Sequence, residues 1–212
     1  MKTNIHSGLC PSPKTVTLLT AGAASALLTA TAQAQFYAAR FNGILGTGIV
    51  EGENSVRTLP VFASGYYPVA NWQDSGGEGG PNDFGADFPI PGDAPGVDEN
   101  DFALAGSGIL HVRTTGTYVF RTGTDDSSRI ILDGRNVNVQ GGCCANVDGP
   151  GIVLNAGTSH FIQVIFKEGG GGGNGEFSVS RDGGAFSLLG TGITSHPDVN
   201  VDQIGFVPAT PP

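Results

Sequence analysis

Residues 116–135 read Gly116-Thr117-Tyr118-Val119-Phe120-Arg121-Thr122-Gly123-Thr124-Asp125-Asp126-Ser127-Ser128-Arg129-Ile130-Ile131-Leu132-Asp133-Gly134-Arg135. Apolar and polar residues alternate from Thr117 to Arg121, the period of a strand, whose successive side chains face opposite ways. Arg129-Ile130-Ile131-Leu132 runs into Asp133-Gly134, a dipeptide suited to the positive backbone angles of a two-residue hairpin turn. Asn136-Val137-Asn138-Val139 continues on the far side of that turn. Between the first two arms stand two adjacent carboxylates, Asp125 and Asp126, and like charges so close repel unless something neutralises them.

Outward from this stretch the same grammar recurs. Ile109 to Arg113, joined through Thr114-Thr115-Gly116 to Thr117–Arg121, reads as a hairpin. So does Ile152–Leu154 with His160–Phe166 through Asn155-Ala156-Gly157, and Phe177–Ser180 with Ala185–Leu189 through Asp182-Gly183-Gly184. Strands at this spacing predict an all-β, antiparallel β-sandwich of jelly-roll type, folded as one domain over residues 35–195. The chain's 35 glycines and 13 prolines fit many short strands and turns. No stretch repeats apolar residues at helical spacing over a useful length. Towards the N-terminus, Phe36–Phe41 reads as an opening strand and Arg57–Phe62 as a second one.

Lys2 and Lys14 precede an apolar, small-residue stretch from Val16 to about Leu28, and Ala32-Gln33-Ala34 follows it. That is the pattern of a secretory signal peptide over residues 1–34. The apolar run is shorter than the roughly 20 residues a membrane span needs, and no other segment is apolar enough to span. A secreted or cell-surface product is therefore expected. Its removal leaves eight basic residues against 19 acidic ones. Such a surface excludes nucleic acid as a partner, because that binding rests on neutralising phosphates with Lys and Arg. It is compatible with a divalent cation, and equally with plain self-repulsion between soluble molecules.

From Gln73 to Asp101 runs a Gly-, Pro- and Asp-rich stretch without strand signal, carrying Asp74, Glu78, Asp83, Asp87, Asp93, Asp98, Glu99 and Asp101 and no basic residue. A solvated acidic loop is the expected reading. A second cation site is the sharper one, although the spacing does not match the helix-flanked Asp-x-Asp-x-Asp-Gly loop. Cys143 and Cys144 are the only cysteines beyond residue 34. In an oxidising compartment they form a vicinal disulfide, pair between molecules, or stay as thiols; with no third Cys or nearby His they do not make a zinc set. The tail from His196 to Pro212 reads as a disordered end or linker.

The run from Gly116 to Arg135 resembles the core signature of the anthrax protective-antigen-type (PA-fourteen) domain family: a G-T-Y-x-F strand, an Asp-Asp turn, and a strand ending in Asp-Gly. Val153-Leu154-Asn155-Ala156-Gly157 is similar to the family's L-x-A-G turn, and Ile162–Glu168 to its next strand. The resemblance covers roughly Ile109 to Leu189, and the acidic insert has no counterpart in it. It implies the fold above. By likeness to the family's sugar-binding branch, the flocculins and related adhesins, it also implies a calcium site.

In that branch the Asp pair is joined by a cis peptide bond, a geometry carried here to Asp125-Asp126. The remaining ligands come from the loop after the long strand, which places the Glu168 side chain and the carbonyls of Gly170 and Gly172 on the ion. Gly169–Gly173 is a run of five glycines, which suits a loop whose carbonyls turn inward, and suits a flexible linker as well. The sequence departs from the family at Ser127, where Gly is common, and at Glu168, where the adhesins use Asn. Asp125 and Asp126 would also meet the ligand, with Trp72, Tyr66 or Tyr67 as the aromatic partner. The expected partners are extracellular or cell-surface glycans.

No enzyme is expected: His111, His160 and His196 lack a paired nucleophile, and domains of this family accompany catalytic ones without doing chemistry. Two readings remain, a calcium-dependent carbohydrate-binding or adhesion module, and an extracellular structural protein in which the ion only stiffens the fold.

Overall fold

The computed structural model describes residues 35–43, 46, 48–76, 79–81, 83–85, 87–191 and 195–202. The expected signal peptide, Glu78 and the tail beyond Asp202 lie outside the described residues.

The chain forms β1 (Phe36–Asn42), α1 (Ile49–Thr58), β2 (Ala63–Tyr67), β3 (Asn71–Gln73), β4 (Phe88–Pro89), β5 (Phe102–Val112), β6 (Gly116–Asp125) and β7 (Ser127–Leu132). It continues with β8 (Arg135–Gln140), β9 (Ala145–Asp148), β10 (Ile152–Leu154), β11 (Ser159–Glu168), β12 (Asn174–Arg181), β13 (Ser187–Leu188) and β14 (Val199–Asp202). These make two sheets. One has the order β2-β1-β5-β11-β7-β8 with β14 also on β5, and the other the order β10-β6-β12-β3-β4 with β13 on β12 and β9 on β6. All pairings are antiparallel except β3 with β4, which is parallel. Pro89, which cannot donate to a ladder, sits on the terminal strand β4 of the second sheet.

The sandwich predicted from the alternation is the fold observed. The core between the sheets takes alternate residues of the long strands, among them Phe102, Leu104, Phe120, Val164, Phe166 and Phe177. Burying each such side chain contributes about 1.5–3 kcal/mol. At Gly106 a Cβ would press on the Trp72 ring and on Val164, so only glycine lets the central strand pass beneath that ring. The opposite set on β5 and β11, Ala103, Ala105 and Ile165, packs under α1 with Phe41, Ile49 and Val56.

Two of the four expected hairpins form as such. β7 pairs with β8 about Asp133-Gly134, and β12 pairs with β13 beyond Asp182-Gly183. In both turns the Asp and the Gly have positive φ (49 and 77; 51 and 77), the combination a type I′ turn demands. The other two are corrected. β5 lies in the first sheet and β6 in the second, and likewise β11 and β10, so the segments 113–115 and 155–158 carry the chain across the sandwich instead of back beside itself.

Arg57, expected in a strand, ends α1. The helical stripe was hidden because its buried positions are Ile49, Gly52, Glu53, Ser55 and Val56, only two of them with large apolar side chains. Gly52 is needed where Lys167 of β11 comes against the helix, with its Cβ 2.9 Å from where a Cβ on residue 52 would stand. Glu53 is held by Arg129 and faces Arg57. Part of the expected disordered tail is also folded: β14 pairs with β5 from Val199↔Val112 to Asp202↔Ile109, and His196 is buried. β1 occupies the same edge of β5, from Asn42↔Phe102 to Tyr37↔Ser107. The first and last strands thus meet end to end beside Gly108.

Candidate functional site

β6 ends at Asp125 in one sheet and β7 begins at Ser127 in the other. The chain therefore changes sheets at Asp125-Asp126, whose peptide bond is cis. A second crossing lies beside it, from Glu168 at the end of β11 through residues 169–173 to Asn174 at the start of β12. The two are laced together: the Asp126 N–H donates to the Lys167 carbonyl at 3.1 Å, and the Gly169 N–H donates to Asp126 Oδ2 at 2.9 Å. Thr124 and Ser128, both buried, share a hydroxyl hydrogen bond of 2.8 Å beneath the turn.

Glu168 follows Ile162, Val164 and Phe166 on the inward side of β11, as strand alternation requires, and is wholly buried. Its Oε1 accepts the Gly170 N–H at 2.6 Å, while its Oε2 has no hydrogen-bond partner. Oxygens of Asp125, Asp126 and Glu168 all lie within 4.8 Å of one another. Burial, and after it the charge of Asp126, pushes the Glu168 carboxyl up to about 8. The same two causes raise Asp125, partly offset by a hydrogen bond from the Gly80 N–H. Behind them the buried Lys167 ammonium donates to the Glu168 carbonyl. Burial lowers the Lys167 pKa against the pull of Asp101, Glu168, Asp126 and Glu51.

The structure thus brings Asp125, Asp126 and Glu168 together. Gly172 joins them: a Cβ placed on Gly79 would collide with both the Gly172 carbonyl oxygen and Asp125 Oδ2, so the acidic insert leaves room for these two oxygens only by having glycine there. The Gly170 N–H donates to Glu168 Oε1, which ties the glycine loop to the cluster. Three carboxylates and a backbone carbonyl, with one buried oxygen left unpartnered, form a hard, all-oxygen donor set that suits a divalent ion such as calcium.

Sequence reasoning missed Asn174, wholly buried, in register with Asp125, and with neither amide atom hydrogen-bonded. Its only signal is a polar residue closing the glycine run. It also missed Asn100, whose Oδ1 accepts the Gly171 N–H at 2.9 Å and steadies that loop.

The acidic insert folds over the outer face of the second sheet. Glu176 accepts the N–H groups of Asp83 and Phe84 at 3.0 and 3.1 Å, and burial pushes its carboxyl up to about 7. Asp74 accepts those of Gly76 and Glu99 at 3.0 and 2.6 Å. These carboxylates staple the loop, and among the described residues the insert contributes none to a metal-holding cluster.

Trp72 does not serve as the aromatic partner. It is fully buried against Phe36, Tyr67 and Phe177, because β3 completes the inner face of the second sheet next to β12. Tyr67 packs on that ring, and Tyr66 is exposed on β2, paired with Tyr37. Cys143 and Cys144 are joined as a vicinal disulfide on the exposed segment before β9. Their sulfurs and an Asp125 oxygen lie within 4.8 Å of one another. His160 meets Asp133 at 2.7 Å, and His111 meets Asp202 at 3.0 Å. A cleft of about 600 Å³ lined by Leu132, Arg135, Val137, Ile152 and His160 lies at the opposite end of β7 from the carboxylates. Asp133 is the one carboxylate in its lining, against three in the cluster.

No family model matches the sequence, and no curated protein matches it. Solved structures do share its fold. The chain is similar to the PA14 domain of the MpAFP antifreeze protein, with 18% identity and a TM-score of 0.58 over 73% of this chain and 86% of that one. A PA14 sugar-binding domain from an RTX adhesin aligns with 17% identity and a TM-score of 0.56 over 74% and 95%. The A domain of Epithelial Adhesin 9 from Candida glabrata, in complex with Galβ1-4GlcNAc, aligns with 12% identity and a TM-score of 0.55 over 81% and 91%. The fold is PA14-like, and related to the adhesin sugar-binding domains, as the Asp-Asp signature implied.

Proposed function

We propose that this protein is an extracytoplasmic carbohydrate-binding module of adhesive type that holds its sugar through a calcium ion at Asp125, Asp126 and Glu168. The observation that carries the reading is the wholly buried Glu168, with its Oε2 unpartnered and a carboxylate oxygen within 4.8 Å of those of Asp125 and Asp126. Three such groups repel one another unless a cation stands between them, and a buried carboxylate left without a partner is costly. Asp125, Asp126 and Glu168 would supply carboxylate oxygens and Gly172 its carbonyl, with Asn174 in reserve. The ion would offer its remaining coordination positions to sugar hydroxyls. Fold likeness to sugar-binding and adhesin domains supports the carbohydrate. The vicinal disulfide supports an oxidising compartment.

A second reading, an ion that only ties the two sheets together, is favoured by the position of the cluster where both crossings pass between them. Calorimetric titration of the chelator-treated protein with calcium tests the site. One ion per chain in the wild type, with at least about tenfold weaker binding in Asp126→Asn (about 1.4 kcal/mol), is the expected result, and no binding by the folded wild type would remove the metal. A glycan array with and without chelator then separates the two readings: calcium-dependent sugar capture supports the module, whereas a calcium-raised melting temperature with no glycan bound supports the structural ion.

A further inference from the structure

A sugar ring presents a polar edge and an apolar C–H face, and binding sites meet the second with a polarizable apolar surface, most often an aromatic ring. The residue expected for that task, Trp72, is sealed in the core. Among the described residues, the exposed large apolar side chains Val50, Val61, Phe62, Tyr66, Val97, Val139 and Val153 all stand outside the two crossings that carry the carboxylates. What does stand beside Asp125 is sulfur. Both Sγ atoms of the Cys143–Cys144 bridge lie within 4.8 Å of each other and of an Asp125 oxygen, and both residues are exposed.

The bridge is held in place rather than merely nearby. The Cys144 N–H donates to the Thr124 carbonyl at 3.0 Å, immediately before Asp125. The buried Gln140 side chain accepts the Thr124 N–H and donates to the carbonyls of Thr124 and Gly142 at 2.7 and 2.9 Å. The Ala145↔Thr124 pairing of β9 with β6 fixes the other side. On the outer side the segment is exposed, and a Cβ on Gly141 or Gly142 would meet no atom of the described residues within 4 Å. Across Asp125 from this segment runs the insert at Gly79 and Gly80.

We propose that the Cys143–Cys144 disulfide is the apolar platform of the sugar site, stacking on the C–H face of a neutral hexose whose hydroxyls reach the ion at Asp125. The inference rests on the calcium-module reading above. A divalent ion among three carboxylates, with the Lys167 ammonium behind them, leaves no excess positive charge for an anionic sugar, which favours a neutral one. Sulfur is soft and polarizable, and a bridge between neighbouring residues presents both sulfurs together. Reduction opens that surface into two separate polar thiols, so sugar capture depends on the redox state while the oxygen donors of the ion are untouched.

The test compares oxidised protein, protein reduced with a phosphine, and the Cys143→Ser/Cys144→Ser variant. Each is titrated with calcium and then offered a panel of immobilised neutral mono- and disaccharides including Galβ1-4GlcNAc. The expected result is unchanged calcium affinity in all three, with sugar binding weakened at least about tenfold by reduction and in the variant. Sugar binding indifferent to both treatments overturns the platform and leaves the module reading standing. Calcium and sugar binding lost together makes the bridge a support of the metal loop and also overturns the platform. Calcium bound with no sugar captured by the oxidised wild type overturns the platform and the module together.

Discussion

Glu168 and Asp126 approach each other from two different crossings of the sandwich and are buried unequally. Each accepts one backbone N–H, Glu168 Oε1 from Gly170 and Asp126 Oδ2 from Gly169, but Glu168 is wholly buried with its Oε2 unpartnered, whereas Asp126 is half-buried. That burial makes Glu168 the costly carboxylate of the ion-free protein, and on the calcium reading proposed above the one that gains most from the ion.

Replacing Glu168 with Gln keeps its volume and removes its charge. At a pH of about 8, Glu168→Gln is expected to melt several degrees higher than wild type in chelator, at about 2–4 °C per kcal/mol for a chain this long, and to bind calcium at least about tenfold more weakly. Differential scanning calorimetry with and without calcium reads both. A variant less stable than wild type in chelator would show that the carboxylate serves the fold without any cation.

Acidity gives a second measurement. The Glu168 and Glu176 carboxyls are raised to about 8 and about 7 in the folded chain, in both cases chiefly by burial. Between the ordinary carboxylate range and those values the folded protein holds protons that the unfolded chain has released. Stability therefore falls as pH rises. Without calcium, the melting temperature should be highest near pH 5 and decline up to about pH 8. Saturating calcium should flatten the share of that slope due to Glu168, because an ion replaces its proton. A metal-free melting temperature that rises over this window would contradict the burial of both groups.

Glu176 pins the insert. In Glu176→Ala the N–H groups of Asp83 and Phe84 lose their acceptor, a cost of about 1–3 kcal/mol where such groups remain buried. Hydrogen exchange should quicken at Asp83 and Phe84 while the amides of β11 hold their protection. Equal protection in both proteins would mean that the insert is held by other contacts.

Gly52 tests the packing of α1. Alanine normally gains about 1 kcal/mol over glycine inside a helix. Here the new methyl group would stand 2.9 Å from the Lys167 Cβ, so overpacking by about 1–3 kcal/mol wins. Gly52→Ala should melt lower than wild type by thermal circular dichroism, and a higher melting temperature would show that the helix can lift off β11.

The sandwich was legible because alternation needs only a buried face, and the Asp-Asp pair was legible because two adjacent carboxylates between strands call for an explanation. Partnership between strands was less so. Asp133-Gly134 and Asp182-Gly183 announced true hairpins through two successive positive φ angles, whereas Thr114-Thr115-Gly116 and Asn155-Ala156-Gly157 lack that pair, with Gly157 alone at positive φ in the second, and lead across the sandwich. Alternation reads the same in either case. The helix escaped notice because Gly52 and Glu53 occupy its inner stripe for reasons that lie on β11 and β7. Asn174 and the glycines at 79 and 80 acquire meaning only once distant segments meet, as does the contact between Asp125 and the Cys143–Cys144 bridge.

β1 and β14 abut on one edge of β5, with Tyr37 opposite Ser107 and Asp202 opposite Ile109. The folded body is therefore picked up and set down at almost the same spot, as a bead hangs from a thread by a single loop. A pull at both ends of the folded body would load those two strands first. The carboxylate cluster, at the Phe102 and Glu168 end of the same sheet, lies off that line, so a load on the two strands would reach it last.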